Sequence, residues 1–186
     1  GNAHRTDVGA FLQAETFVLP VLRLSAGLRG DRVTTRNTGG YFGDRATSNG
    51  ALSGFAAGTV GPLSGLSLTA QVSRGFRDPA LSDRYFRGPS GRGFITGNPD
   101  LEPETSLQFD LSARYTLART QIGVFYYDYR IDDLIERYST QTDFFFFRNR
   151  CRALIRGLEL ELQAEPASGL SLELSAHLLD GLALDD

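Results

Sequence analysis

The 186-residue sequence predicts an all-β fold, an antiparallel up-and-down meander of about eight strands. Three observations carry that expectation. Apolar residues recur at every second position over long stretches, which is the period of a pleated strand. No stretch shows the 3.6-residue period of an amphipathic helix. All seven prolines fall between the alternating stretches, where a hydrogen-bonded ladder tolerates them.

In chain order, the first strand runs from Val8 to Val18, with Val8, Ala10, Leu12 and Ala14 on one face and Gln13 and Glu15 on the other. Pro20 marks a tight turn, after which Leu22, Leu24, Ala26 and Leu28 alternate with Arg23, Ser25 and Arg29. A polar, glycine-rich connection occupies about residues 34–50, and Ala51–Val60 forms a weaker third strand whose glycines blur the parity. Leu66, Leu68, Ala70 and Val72 then oppose Ser67, Thr69, Gln71 and Ser73. A long connection follows over about residues 76–104. Leu107, Phe109, Leu111, Ala113, Tyr115 and Leu117 next alternate with Gln108, Asp110, Ser112, Arg114 and Thr116, the cleanest strand in the chain. The sixth strand starts at Gln121 and is rich in β-formers; its parity breaks near Asp132 and Asp133, where a bulge or loop is expected. A third long connection covers about residues 131–145. The seventh strand opens with Phe144–Phe147 and ends with Leu158, Leu160 and Leu162, and the eighth carries Leu170, Leu172, Leu174, Ala176 and Leu178.

Short turns near Pro20, Pro62, Arg119 and Pro166 alternate with the three long connections. In an up-and-down sheet, every second connection lies at the same end, so one end is flush and the other carries the loops. That is the layout of a transmembrane β-barrel, here a partial segment: an open curved sheet, or a closed small barrel. Alternation alone does not say which way the leucines face. A soluble lipocalin-like barrel turns them inward and a membrane barrel turns them to lipid; the asymmetry of the connections favours the second. Tyr115, Tyr126, Tyr127, Tyr129 and Phe144–Phe147 suit either an interfacial aromatic girdle or cross-strand packing.

Composition excludes several other classes. The net charge of −3 offers no basic stripe for nucleic acid. Every basic residue is an arginine, and the lone Cys151 has no internal disulfide partner. No apolar run approaches the roughly 20 residues of a membrane helix. His4, His177 and Cys151 have no metal-ligand spacing, and Asp132, Asp133 and Glu136 read as a solvated acidic loop in preference to a Ca²⁺ site. Glu173, Ser175 and His177 share a strand face, but residues two apart on a strand stand nearly 7 Å apart (about twice the 3.4 Å rise), and no oxyanion-hole pattern accompanies them. No enzyme activity and no cofactor are expected.

The long central connection reads RGFRDPALSDRYFRG, then a glycine-rich span, then GNPDLEPETS. It resembles the signature region of TonB-dependent outer-membrane receptors, in which a strand ending in a GFR-P-L-like segment precedes an NP-x-L-x-PE segment that opens the next strand. The stretches GVFYYDYRIDDLIERY and IRGLELEL are similar to the barrel of that family, so the resemblance covers most of the chain. It implies a bacterial outer-membrane location and energised uptake of a scarce ligand such as a ferric siderophore, with a plug domain, the TonB system, lipid and a metal chelate as partners. Passive or structural barrels are the alternative. Family barrels have about 22 strands, so this chain is expected to be an internal or C-terminal-half slice of the wall without its plug. Within the resemblance, the candidates for ligand or plug contact are Arg74, Arg77, Asp78, Arg84, Tyr85, Phe86 and Arg87, because guanidinium groups suit anionic chelates and aromatics supply flat contact. Asn98, Pro99, Asp100, Leu101, Pro103 and Glu104 are assigned to a structural turn.

Overall fold

A computed structural model describes residues 2–184. Eight long strands follow one another as antiparallel neighbours: β1 (Asn2–Leu19), β2 (Leu22–Thr38), β3 (Arg45–Leu63), β4 (Leu66–Arg77), β7 (Glu104–Leu117), β8 (Thr120–Gln141), β9 (Phe144–Ala167) and β10 (Leu170–Leu184). Between β4 and β7 the connection folds into a one-turn helix, α1 (Leu81–Tyr85), and a hairpin of β5 (Arg87–Ser90) with β6 (Gly93–Thr96). The sheet therefore has ten strands in place of about eight, and the extra pair comes from the connection. It is open, with β1 and β10 at its sides. Strand β6 joins the loop end of β9 in parallel, at Phe94–Phe144 and Ile95–Phe145.

The connections expected over about 34–50 and 131–145 are much shorter than that. Strand β2 runs on to Thr38 and β3 begins at Arg45, while β8 reaches Gln141 only two residues before β9. At about 3.3 Å per residue, β8 and β9 are some 70–80 Å long, far beyond the ~25 Å apolar band of a membrane barrel. Above lipid both faces of a strand meet water or polar neighbours. Apolar alternation then stops while the hydrogen-bond ladder continues. Three prolines also lie within strands, and they mark irregular places: Pro62 and Pro166 stand at register shifts, and Pro89 is in the short β5.

Burial decides which face is which. The leucine face is uncovered even on inner strands, with Leu28 and Leu52 both 63% exposed. The polar face of β2 is covered at its loop end, where Val33, Thr35 and Asn37 are buried. Tilt supports the same orientation. Registered pairs carry Leu28 of β2 through Gly54, Arg74, Leu107 and Arg130 to Leu154 of β9 and Leu182 of β10. On the leucine face, charge begins beyond this row on β2 (Arg32), on it on β4 (Arg74), and before it on β8 to β10 (Asp128, Arg156, Asp180). The boundary slips by about one residue per strand, which for a ~3.3 Å rise and ~4.8 Å spacing is a tilt of about 35°. A level membrane surface crossing tilted strands produces that slip. Tyr126 lies just inside this boundary and Tyr115 near the flush end, both on the leucine face, whereas Tyr127 and Tyr129 stack on the polar face at 4.9 Å between ring centroids.

Candidate functional site

The central connection folds over the polar face at the loop end of the sheet and ties its two halves together. Strand β4 delivers Arg77 on the polar face, and Asp78 and Pro79 follow as buried residues. Helix α1 is a single turn. Asp83 accepts the Ala80 N–H at 3.1 Å, satisfying one of the donors a helix start leaves open. The turn aims Arg84 inward, where it is 1% exposed. Its Nη2 lies 3.6 Å from Asp78 Oδ1, and its Nη1 donates to Thr47 Oγ1 at 3.2 Å and to the Pro99 carbonyl at 3.4 Å. Asp78 also accepts from Asn49 Nδ2 at 2.5 Å and pairs with Arg5 Nη1 at 3.6 Å. One carboxylate thus gathers β1, β3 and α1.

The second motif binds the other half. Asn98 accepts the Asp100 N–H at 3.0 Å, closing a turn around Pro99, and donates to the Phe147 carbonyl at 3.1 Å. Glu102 and Asn149 exchange two hydrogen bonds, at 2.8 and 2.9 Å. Leu101 is buried and Pro103 leads into β7. Glu104, the first residue of β7, takes Arg77 in a two-pronged pair (2.7 Å for Nη2–Oε1) and also accepts the Ile135 N–H of β8. Gly97 allows the two motifs to meet: a Cβ there would stand 2.7 Å from the Arg84 carbonyl carbon.

Of the sequence candidates, the structure brings Arg77, Asp78, Arg84 and Glu104 into this clasp. Tyr85, Phe86 and Arg87 sit at its outer rim. Arg74 is set apart, since its parity puts it on the leucine face beside Val72 and opposite Leu107. That parity was readable from Leu68, Ala70 and Val72. At the rim, Arg87 lies 4.0 Å over the Tyr41 ring and 5.2 Å from Phe94, and Phe94 meets Phe144 at 6.1 Å. Phe42 stands edge-on to Tyr85 at 6.2 Å. Tyr41, Phe42 and Phe94 escape a sequence reading because only the folded connection brings residues 41, 87 and 94 together. Tyr41 and Phe86 remain well exposed, so the rim presents a guanidinium among accessible rings.

The other candidates have structural partners. His177 Nε2 meets Tyr127 Oη at 2.6 Å across Gly157, leaving Ser175 opposite Glu161. Asp132 pairs with Arg152 at 2.8 Å, and Glu136 with Arg148 and Arg150 at 3.0 and 3.1 Å. Cys151 is exposed.

An uncovered leucine wall, tilted strands, one flush end and a clasped polar interior define the wall of an outer-membrane β-barrel. Residues 1–183 match the family model described as TonB dependent receptor-like, beta-barrel, and the chain belongs to that family. It is therefore a bacterial outer-membrane receptor segment and not an enzyme. It is 33% identical over 113 residues to the iron-regulated outer membrane virulence protein of Vibrio cholerae, a match spanning 60% of this chain and 16% of that protein. Among solved structures it resembles the copper transporter OprC (TM-score 0.82, 21% identity, 97% of this chain and 30% of that one). It also resembles the hemophore receptor HasR of Serratia marcescens, solved with its hemophore HasA and heme (TM-score 0.82, 19% identity, 95% and 34%). The chain spans about a sixth to a third of the length of these relatives.

Proposed function

We propose that this chain is part of the wall of a receptor that takes up a scarce metal chelate, such as a ferric siderophore, using energy relayed by TonB. The relatives support the ligand class: an iron-regulated outer membrane protein, the FrpB iron transporter of Neisseria meningitidis and the ferric yersiniabactin uptake receptor FyuA of Yersinia pestis. The free edges of β1 and β10 call for further strands, because unpaired backbone groups in lipid cost several kcal/mol each. A plug domain completes the reading, packed against the polar face below the clasp.

The observation that carries the ligand assignment is Arg87 held over Tyr41 and beside Phe94 at the outer mouth. A guanidinium fixed on aromatic faces suits carboxylate or phenolate oxygens on a flat chelate. Phe86 and Tyr85 extend that surface, while Arg77, Asp78 and Arg84 hold it in place.

The test is binding of a panel of radioiron-loaded siderophores to cells carrying the full-length receptor with the TonB system disabled. At least one chelate should bind saturably, and Arg87→Ala should weaken it about fivefold or more at equal surface level. Absence of binding across the panel overturns the ligand class. Unchanged binding by Arg87→Ala overturns the site.

A further inference from the structure

The outer rim of the sheet has a notch. Strands β4 and β7 stop at Arg77 and Glu104, whereas their neighbours run on, β3 to Arg45 on one side and β8 to Gln141 on the other. The ladder between β3 and β4 ends at the pair Gly54–Arg74, so the outer stretch Arg45–Ser53 of β3 is paired with β2 alone. We infer that this open edge of β3 takes up an extended, acidic segment of an extracellular polypeptide as an added strand. The assignment depends on the outward orientation of the leucine face and is independent of which chelate the receptor transports.

The backbone comes first. Successive residues of an antiparallel strand turn their N–H and C=O groups to opposite sides. Gly61 donates to the Val21 carbonyl at 2.8 Å, and the β2–β3 register continues from there without a shift. Odd-numbered residues of β3 therefore serve β2, and Ala46, Ser48 and Gly50 aim their backbone groups into the notch. Among the described residues, these groups have no hydrogen-bond partner there. The central connection passes behind the edge and is tied to it by side chains on the polar face, Asn49 to Asp78 and Thr47 to Arg84. A row of donors and acceptors repeating every ~6.6–6.8 Å is complementary to another extended backbone.

The edge also lacks protection. Exposed edges are ordinarily blunted by proline, charge, a bulge or a cover, and β5 has Pro89. From Ala46 to Ser53, β3 has no proline, no charged residue and no register shift. This stretch lies beyond the apolar band, so hydrocarbon does not require its pairing.

Charge gives the character of the occupant. On the outward face, Arg36 stands opposite Ala46, Arg32 Nε donates to Ser48 Oγ at 3.2 Å, and Arg74 lies at the floor of the notch. The small side chains of Ala46, Ser48 and Gly50 let guanidinium groups of β2 reach across β3. The outward positions of β2 from Gly30 to Thr38, of β3 from Ala46 to Leu52 and of β4 at Arg74 and Phe76 hold no carboxylate. Acidic side chains on the outward face of an added strand would supply the missing counter-charge.

The test is hydrogen–deuterium exchange of the full-length receptor in detergent, resolved to single amides by electron-transfer fragmentation. The probes are a synthetic heptapeptide alternating glutamate with threonine, its lysine–threonine counterpart, and the glutamate peptide N-methylated throughout. In the free receptor, the amides of Ala46, Ser48 and Gly50 should exchange freely while those of Thr47, Asn49 and Ala51 stay protected. Saturating glutamate peptide should slow the three open amides by about tenfold or more, and neither control peptide should do so at the same concentration. Ser48→Pro removes a donor from the notch but none from the ladder with β2, and should abolish the effect. Slow exchange of the three amides in the free receptor, no protection by the glutamate peptide, or equal protection by either control peptide overturns the inference. If Ser48→Pro fails to fold, as judged by heat-modifiable gel mobility, the N-methylated peptide decides.

Discussion

The guanidinium of Arg84 is buried 3.6 Å from the carboxylate of Asp78, and both side chains are cut off from solvent. Among the described residues, Asp78 Oδ2 and Arg84 Nε and Nη2 have no hydrogen-bond partner, so the pair is held chiefly by charge. Breaking a buried pair from one side leaves the other charge uncompensated, at a cost of about 3–5 kcal/mol. Asp78→Asn in the full-length receptor should therefore release the connection from β1 and β3. Amide exchange across residues 78–103 should accelerate by two or more orders of magnitude, while exchange in the core of β7 stays slow. The double variant Asp78→Asn, Arg84→Met should recover part of the protection.

Glu104 and Arg77 differ in what they leave behind. Removing Arg77 leaves the Glu104 carboxylate, only 11% exposed, without its counter-charge and should cost about 1–3 kcal/mol. Removing Glu104 also orphans the Ile135 N–H, adding about 1–3 kcal/mol. The Ile135 amide should therefore gain exchange rate in Glu104→Ala well beyond its gain in Arg77→Ala, where the carboxylate that accepts it remains. Equal effects would mean that the Ile135 contact contributes nothing.

Two glycines in the same connection should respond oppositely to alanine. A methyl at Gly97 meets the backbone of Arg84 and Asp83 at 2.7–2.9 Å, and backbone cannot swing aside. Nothing lies within 4 Å of a methyl at Gly91. Gly97→Ala should cost about 1–3 kcal/mol, and Gly91→Ala should stay within about 0.5 kcal/mol. Limited proteolysis of the connection in intact cells separates the two.

The membrane-embedded part was legible from the residues because lipid imposes a period of two: β7 is one uninterrupted alternation from Leu107 to Leu117. The same cause explains the misjudged connections. Between Thr34 and Thr38, or Leu134 and Gln141, no lipid enforces the pattern, and the ladder leaves no signature in side-chain polarity. Helix α1 and the β5–β6 hairpin are too short to show a period. The clasp was half legible. Its motifs stand out as residues, but the pairing of Asp78 with Asn49 and Arg5, or of Arg87 with Tyr41, joins positions tens of residues apart. Arg74 is different. Counting parity from Leu68, Ala70 and Val72 places it on the outward face.

The orientation of the sheet is tested most directly by spin labels placed singly at residues 106–117 of β7, in a background without native cysteines, in the full-length receptor reconstituted into bilayers. Collision rates with oxygen, which partitions into hydrocarbon, should alternate with a period of two and peak at 107, 109, 111 and 113. Labels at 108, 110 and 112 should be shielded. Maxima at the serine and carboxylate positions, or no alternation at all, would contradict a leucine wall facing lipid.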